Sequence, residues 1–328
     1  MGLAGQVKLK AARVLVIGAG GLGCPVLQYL TAAGVGHIGI VDNDTVDETN
    51  LHRQILYHAG DIGQNKAETA AKKLAVMNPY VKLLPIPVRL DAENAQQIIQ
   101  NYDLVIDGSD NFPTRYVTND ACVATNKPLI FGSILRFEGQ VSVFNYKNGP
   151  TYRCLFPEAD EGDNCEMAGV MGVLPGIIGS YMANEAIKVI CEIGETLSGK
   201  LLIINTLTNQ TNIFHFEKSR EVTPPSPPIQ SPTSNSPSQL SWTDYERIVQ
   251  EKPNSLLLVD VREAYEFEED FVGGINIPLP DLPEELTTMP ADKTIVFYCR
   301  SGVRSLMAAK LLDKSHFEGK GYWMKEDI

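Results

Sequence analysis

Between Thr223 and Gln239 the chain reads TPPSPPIQSPTSNSPSQ, with six prolines and no charge. Such a stretch cannot bury enough apolar surface to pack, and it behaves as an extended spacer reaching on the order of 50 Å. It therefore divides the 328 residues into two units that fold on their own cores, residues 1–222 and 240–328. The 44% of hydrophobic residues is ample for both. The net charge of −12 is shared between 18 basic and 23 acidic residues in the first unit and 10 and 17 in the second. That balance argues against nucleic acid as a partner, because phosphate counterions are displaced by a basic surface. The six cysteines are scattered, with no disulfide framework. No signal segment opens the chain, and the most apolar stretch, Val170 to Ile190, carries Pro175, Glu185 and Lys188. It reads as a buried helix, not a membrane span, and the expected location is the cytoplasm.

Strand and helix signals alternate in the first unit. Val14–Ile17, His37–Asp42, Val81–Val88 and Asp103–Asp107 are apolar runs, separated by helical spacing near 66–77, 92–100 and 115–125. This predicts a parallel sheet with helices on both faces, a Rossmann-like α/β fold. Past Gly139 the pattern changes to the alternation of antiparallel strands at 140–146, 200–205 and 212–216, so the sheet is mixed. The second unit repeats the rhythm on a smaller scale, with strands at 256–259 and 294–298 and a helix from about Ser305.

Gly18-Ala-Gly20-Gly21-Leu-Gly23 lies between a strand and a helix, the context in which backbone N–H groups and a helix terminus meet phosphate. Asp42 ends the next strand, where a carboxylate grips ribose hydroxyls. These features fit NAD, FAD or ATP. The stretch after Asp42 adds Asp44, Asn50, Arg53 and Gln54, and Lys66 follows. Two cations serve a triphosphate better than a dinucleotide, because they hold the β and γ groups and neutralise departing pyrophosphate. Asp107-Gly-Ser-Asp110-Asn111 closes another strand at its carboxyl end, and Asp110 is placed to hold Mg²⁺.

In the second unit Cys299-Arg300-Ser301-Gly302-Val303-Arg304 follows a buried strand and opens a helix. Loop N–H groups, the helix dipole and Arg304 are arranged to stabilise a thiolate and then a persulfide anion. Cys165 sits in a polar, glycine-containing stretch, while Cys24, Cys122 and Cys191 fall in apolar helical patterns and read as core.

Taken together, GAGGLG, DNDTVDETNLHRQ, GQNK, DGSDN and FEGQV, in that order over residues 5–222, make the first unit similar to the MoeB/ThiF family of adenylyltransferases that activate ubiquitin-like sulfur carriers. Val259-Asp-Val-Arg-Glu263, Gly274–Leu279 and the Cys299 loop make the second resemble a rhodanese. The resemblance implies adenylylation, by ATP and Mg²⁺, of the C-terminal glycine of a carrier ending in Gly-Gly. Sulfur from a Cys299 persulfide, loaded by a persulfide donor, then gives a thiocarboxylate for molybdopterin, thiamine or tRNA thiolation. It also implies a homodimer, and a covalent carrier link at Cys165 as in the thiamine branch. In this scheme Asp42 holds ribose, Arg53 and Lys66 hold phosphates, and Asn50 and Gln54 shape the site.

Three departures stand against the pattern. The chain opens Met1-Gly-Leu-Ala-Gly5-Gln6 without the family's Arg-Tyr-x-Arg-Gln-type stretch, which points to another cation or a start further upstream. Of two Cys-x-x-Cys pairs only Cys154 is present, and one thiolate cannot hold tetrahedral zinc, so no structural zinc is expected. The closing segment after Glu318 is short, which implies an incomplete last strand and helix. Two other classes, an NAD-dependent oxidoreductase and a non-catalytic carrier-binding protein, share the glycine turn or the carrier surface.

Overall fold

A strand buried on both faces loses the inside-out alternation of an edge strand, and Arg13-Val-Leu-Val-Ile17 shows the result: four of its five residues are buried. It is the middle one of five parallel strands in a computed structural model that describes residues 2–157, 170–218, 237–252, 255–286, 289–290, 293–300, 302–315 and 321–325. The chain divides into two units, Met1–Pro224 and Pro225–Ile328.

In the first unit α1 (Gly2–Ala11) precedes β1 (Arg13–Ile17), α2 (Gly23–Ala33) and β2 (His37–Val41). There follow α3 (Lys66–Met77), β3 (Lys82–Ile86), α4 (Ala95–Ile99), β4 (Leu104–Asp107), α5 (Phe112–Ala124) and β5 (Leu129–Leu135). The remaining elements are β6 (Glu138–Phe144), α6 (Tyr152–Leu155), α7 (Leu174–Cys191), β7 (Lys200–Asn205) and β8 (Gln210–His215). The strands form one sheet in the order β3-β2-β1-β4-β5-β6-β7-β8. Pairing is parallel from β3 to β5 and antiparallel from β5 to β8. The mixed sheet expected from the sequence is there. Its switch comes at the β5–β6 hairpin, because β5, which periodicity alone had not marked, pairs with β4 on one side and β6 on the other.

The apolar stretch at 174–191 is the buried helix α7. Its Glu185 is 1% exposed, accepts the Leu197 N–H at 2.9 Å and pairs with Lys188 one turn on, so the two charges satisfy each other inside the protein. Among the described residues no helix is long and apolar enough to cross a membrane. Cys154 is buried at the start of α6, where it receives the Thr151 N–H at 3.4 Å. Burial pushes the Cys24 thiol up to about 12 and that of Cys122 well above its ordinary value, so both are inert core residues.

The second unit contains β9 (Ser238–Gln239), α8 (Trp242–Glu251), β10 (Leu256–Asp260), α9 (Ala264–Glu269), β11 (Ile275–Asn276) and α10 (Leu282–Glu285). After them come β12 (Thr294–Tyr298), α11 (Val303–Lys314) and β13 (Gly321–Met324). All five strands run parallel, in the order β11-β10-β12-β13-β9. Two expectations change here. Ser238 and Gln239, the last residues of the proline-rich segment, are already an edge strand on β13. The short closing segment nevertheless forms a strand, β13, which pairs with β12 from Ile295 to Tyr298.

Candidate active sites in the two units

Five parallel strands end on one side of the first sheet, and the loops leaving β1, β2 and β4 open a cavity of about 930 Å³ there. Gly18, Gly20, Gly21, Asp42, Asp44, Asn50, Arg53, Gln54, Lys66, Asp110 and Asn111 all line it. The turn is built for close approach. Gly18 has φ +85°, and a Cβ there would lie 3.0 Å from the Gly108 carbonyl oxygen. Gly23 is placed differently from its sequence reading. It lies under the turn, where a Cβ would come within 1.9 Å of the Gly18 carbonyl oxygen. Its use is to let α2 start against β1, and it is not among the cavity's lining residues.

Asp42 holds the turn by accepting the Ala19 N–H at 2.8 Å, and its other oxygen accepts the Asp44 N–H at 2.9 Å. Burial raises the Asp42 carboxyl above its ordinary range, against the opposing pull of those N–H bonds and of Lys66. Each oxygen keeps capacity for a further hydrogen bond, and Asp42 lines the cavity. Lys66, the first residue of α3, is 6% exposed, with its Nζ 3.1 Å from Asp44. Arg53 donates to the Thr49 carbonyl at 3.2 Å, and Gln54 donates to Asn50 at 2.6 Å. Gln54 Oε1 is a buried acceptor with no protein partner among the described residues, as suits a site that receives a polar ligand. Asp110 is exposed at the rim, and Asn111 caps α5 by accepting the Thr114 N–H.

Further residues in and around this site escaped the sequence reading. Tyr57 is buried, and its hydroxyl donates to the Ala19 carbonyl at 2.8 Å, so the turn's peptide is gripped from both sides. Arg115 lines the cavity, as does Arg89, and lies over the Phe112 and Phe131 rings at 5.1 and 5.4 Å while donating to the Ser109 carbonyl. Its position four residues after Asn111, on the helix that Asn111 caps, was the available signal.

In the second unit Cys299 follows β12 and is fully buried. The Ser305 N–H, in the first turn of α11, donates to its Sγ at 3.3 Å, and the Ser305 hydroxyl lies 3.4 Å away. The helix terminus thus faces the sulfur. Arg304 turns to an acidic partner. Its guanidinium makes two bonds with Glu266, at 2.6 and 3.0 Å, so its charge is balanced before any anion forms on the sulfur. Arg300 pairs with Asp270 at 2.9 Å, and the fully buried Arg262 is clasped by Asp260. The acidic run from Glu263 to Asp270 is therefore part of the loop's architecture. Ser301, the Val303 side chain and Cys165 lie outside the described residues.

A doubly wound sheet with a glycine turn and paired cations defines a nucleotide-binding enzyme fold, and a thiol at a strand-to-helix loop defines a sulfur-handling one. The chain belongs to the ThiF family, whose model matches residues 1–224, and carries a rhodanese-like domain matched at 241–326. It is 53% identical over 215 residues to the sulfur carrier protein adenylyltransferase of Thermus thermophilus, covering 63% of this chain and 79% of the relative. It is 39% identical to the probable adenylyltransferase/sulfurtransferase MoeZ of Mycobacterium tuberculosis, covering 97% of this chain and 86% of that one. The adenylyltransferase and sulfurtransferase MOCS3 of Xenopus laevis is also 39% identical, with 95% and 78% covered. Among solved structures, Escherichia coli MccB with ATP superposes with a TM-score of 0.60 at 24% identity, covering 66% of this chain and 68% of that one, and so shares the fold.

Proposed function

We propose that the chain adenylylates the C-terminal glycine of a ubiquitin-like sulfur carrier with ATP and then delivers sulfur to it from Cys299. The observation that carries this reading is the convergence of the glycine turn, Asp42, Arg53, Lys66 and Asp110 on one cavity at the carboxyl ends of the parallel strands. The turn and the α2 terminus receive phosphate, Asp42 accepts ribose hydroxyls, and Arg53 and Lys66 neutralise the β and γ groups. A carrier carboxylate oxygen attacks the α-phosphorus, the bond to the bridging oxygen breaks, and pyrophosphate leaves. Asp110 would hold Mg²⁺, which neutralises phosphate charge when bound. In the second step the terminal sulfur of a Cys299 persulfide attacks the acyl carbon and AMP leaves. A further thiol then cleaves the S–S bond to free the thiocarboxylate, and Cys165 is the residue proposed for a covalent carrier link.

The proposal includes a cytoplasmic homodimer, a carrier ending in Gly-Gly, a persulfide donor and no structural zinc. The products supply molybdopterin, thiamine or tRNA thiolation. Carrier-dependent ATP–pyrophosphate exchange tests the first step, and its absence would refute that half of the reading. Thiocyanate formation from thiosulfate and cyanide tests the second, and Cys299→Ala should abolish it. An unchanged rate would remove the role assigned to Cys299.

A further inference from the structure

Cys299 is fully buried, so its chemistry requires a local opening. β13 is bonded to the loop that carries Cys299. On one edge β13 pairs with β12, setting Tyr298 opposite Met324. The Met324 carbonyl oxygen accepts the Ser305 hydroxyl at 2.7 Å and the Cys299 N–H at 3.4 Å. On the other edge β13 carries the end of the proline-rich tether. The Trp323 carbonyl accepts the Leu240 N–H at 2.9 Å, and β9 completes the pairing.

One side chain joins the two edges. The Trp323 indole N–H donates to the Pro237 carbonyl at 3.2 Å. Its ring lies over Gly302, where a Cβ would come within 3.0 Å of the ring. Gly302 itself has φ +79°, so neither the backbone nor the ring leaves room for a side chain.

We propose that Trp323 is a positioning residue that fastens the Cys299 loop to the tether's anchor, so that thiol and anchor open as one unit. This rests on the reading of Cys299 as the sulfur-carrying residue, and it makes movement of the tether a means of exposing the thiol. In the full chain, Trp323→Phe keeps a ring against Gly302 and removes only the N–H. Alkylation of Cys299 by iodoacetamide should then accelerate about fivefold, the equivalent of one hydrogen bond of ~1 kcal/mol. Carrier-dependent pyrophosphate exchange should not change. Amide exchange should quicken at 237–240 and 299–305 but not in β10. An alkylation rate equal to that of the parent chain overturns the proposal, and so does exchange that quickens uniformly through β10. Hydrogen exchange on the unaltered chain is a second measurement, independent of how the variant folds. Leu240, Cys299 and Ser305 should share one opening rate. A freely exchanging Leu240 beside protected Cys299 and Ser305 overturns the proposal. Loss of the Cys299 assignment would show instead in thiocyanate formation, which neither exchange measurement reads.

Discussion

Lys66 and Glu266 show how much a single charge depends on its surroundings. Lys66 is nearly buried, yet its partner Asp44 is exposed, so the ammonium is held at the cavity wall and available to phosphate. Lys66→Met should reduce pyrophosphate exchange by about 100-fold or more while leaving the fold intact; isotope exchange and a melting curve report the two effects separately. Glu266 behaves in the opposite way. Both members of its pair with Arg304 are buried, so Glu266→Ala strands a guanidinium and should cost about 3–5 kcal/mol in denaturant unfolding of the second unit. Burial alone would raise the Glu266 carboxyl, but the charge and hydrogen bonds of Arg304 outweigh it and leave the group below its ordinary 4.5. A carboxyl lowered in the folded state stabilises fully above its unfolded value. The contribution of this pair is therefore whole above about pH 4.5 and lost as the pH falls through the folded value. Unfolding midpoints measured from neutrality down to about pH 3 should drop less in Glu266→Gln than in the parent. Lys66 was legible in the sequence because it sits in a contiguous motif. Glu266 was not, because its partner lies 38 residues away and only packing brings them together.

The decisive element is the β1–turn–α2 unit. Its glycines do different things, although they are equivalent in the sequence motif. Gly18, Gly20 and Gly21 line the cavity, whereas Gly23 exists for the contact between strand and helix. Gly23→Ala should destabilise the first unit by about 1–3 kcal/mol through overpacking and weaken ATP binding by moving the helix terminus. Equilibrium unfolding and nucleotide titration measure these effects. Strand existence followed the apolar runs closely, but β5 and β13 were missed or doubted. Each gains its stability from neighbours on both edges, and pairing of that kind leaves no local periodicity.

For the whole molecule, the proposed transfer from Cys299 predicts that the tether between the units acts through concentration. A link of this composition would hold the second reactant at roughly millimolar effective concentration, far above that of enzyme in an assay. A protease site placed within residues 224–236 and then cut should leave exchange and thiocyanate formation each near its parent rate. Thiocarboxylate formation at low enzyme concentration should fall about tenfold or more. Equal coupled rates before and after cutting would mean that the tether contributes nothing to transfer.

The sequence alone determined the division at the proline-rich segment, the α/β class of both units and the residues proposed for the nucleotide and sulfur chemistry. Those features are local: a proline run, an apolar run or a glycine turn acts over a few residues, and chain order preserves it. Only the tertiary structure decided that Tyr57 braces the glycine turn and Arg115 lines the cavity, that Glu266 already balances Arg304, and that Trp323 spans from Pro237 to Gly302 in the Cys299 loop. Apart from Arg115, each of these is a contact between segments far apart in the chain. Its energy exists only once the sheet has set their distance, so no short stretch of sequence can record it.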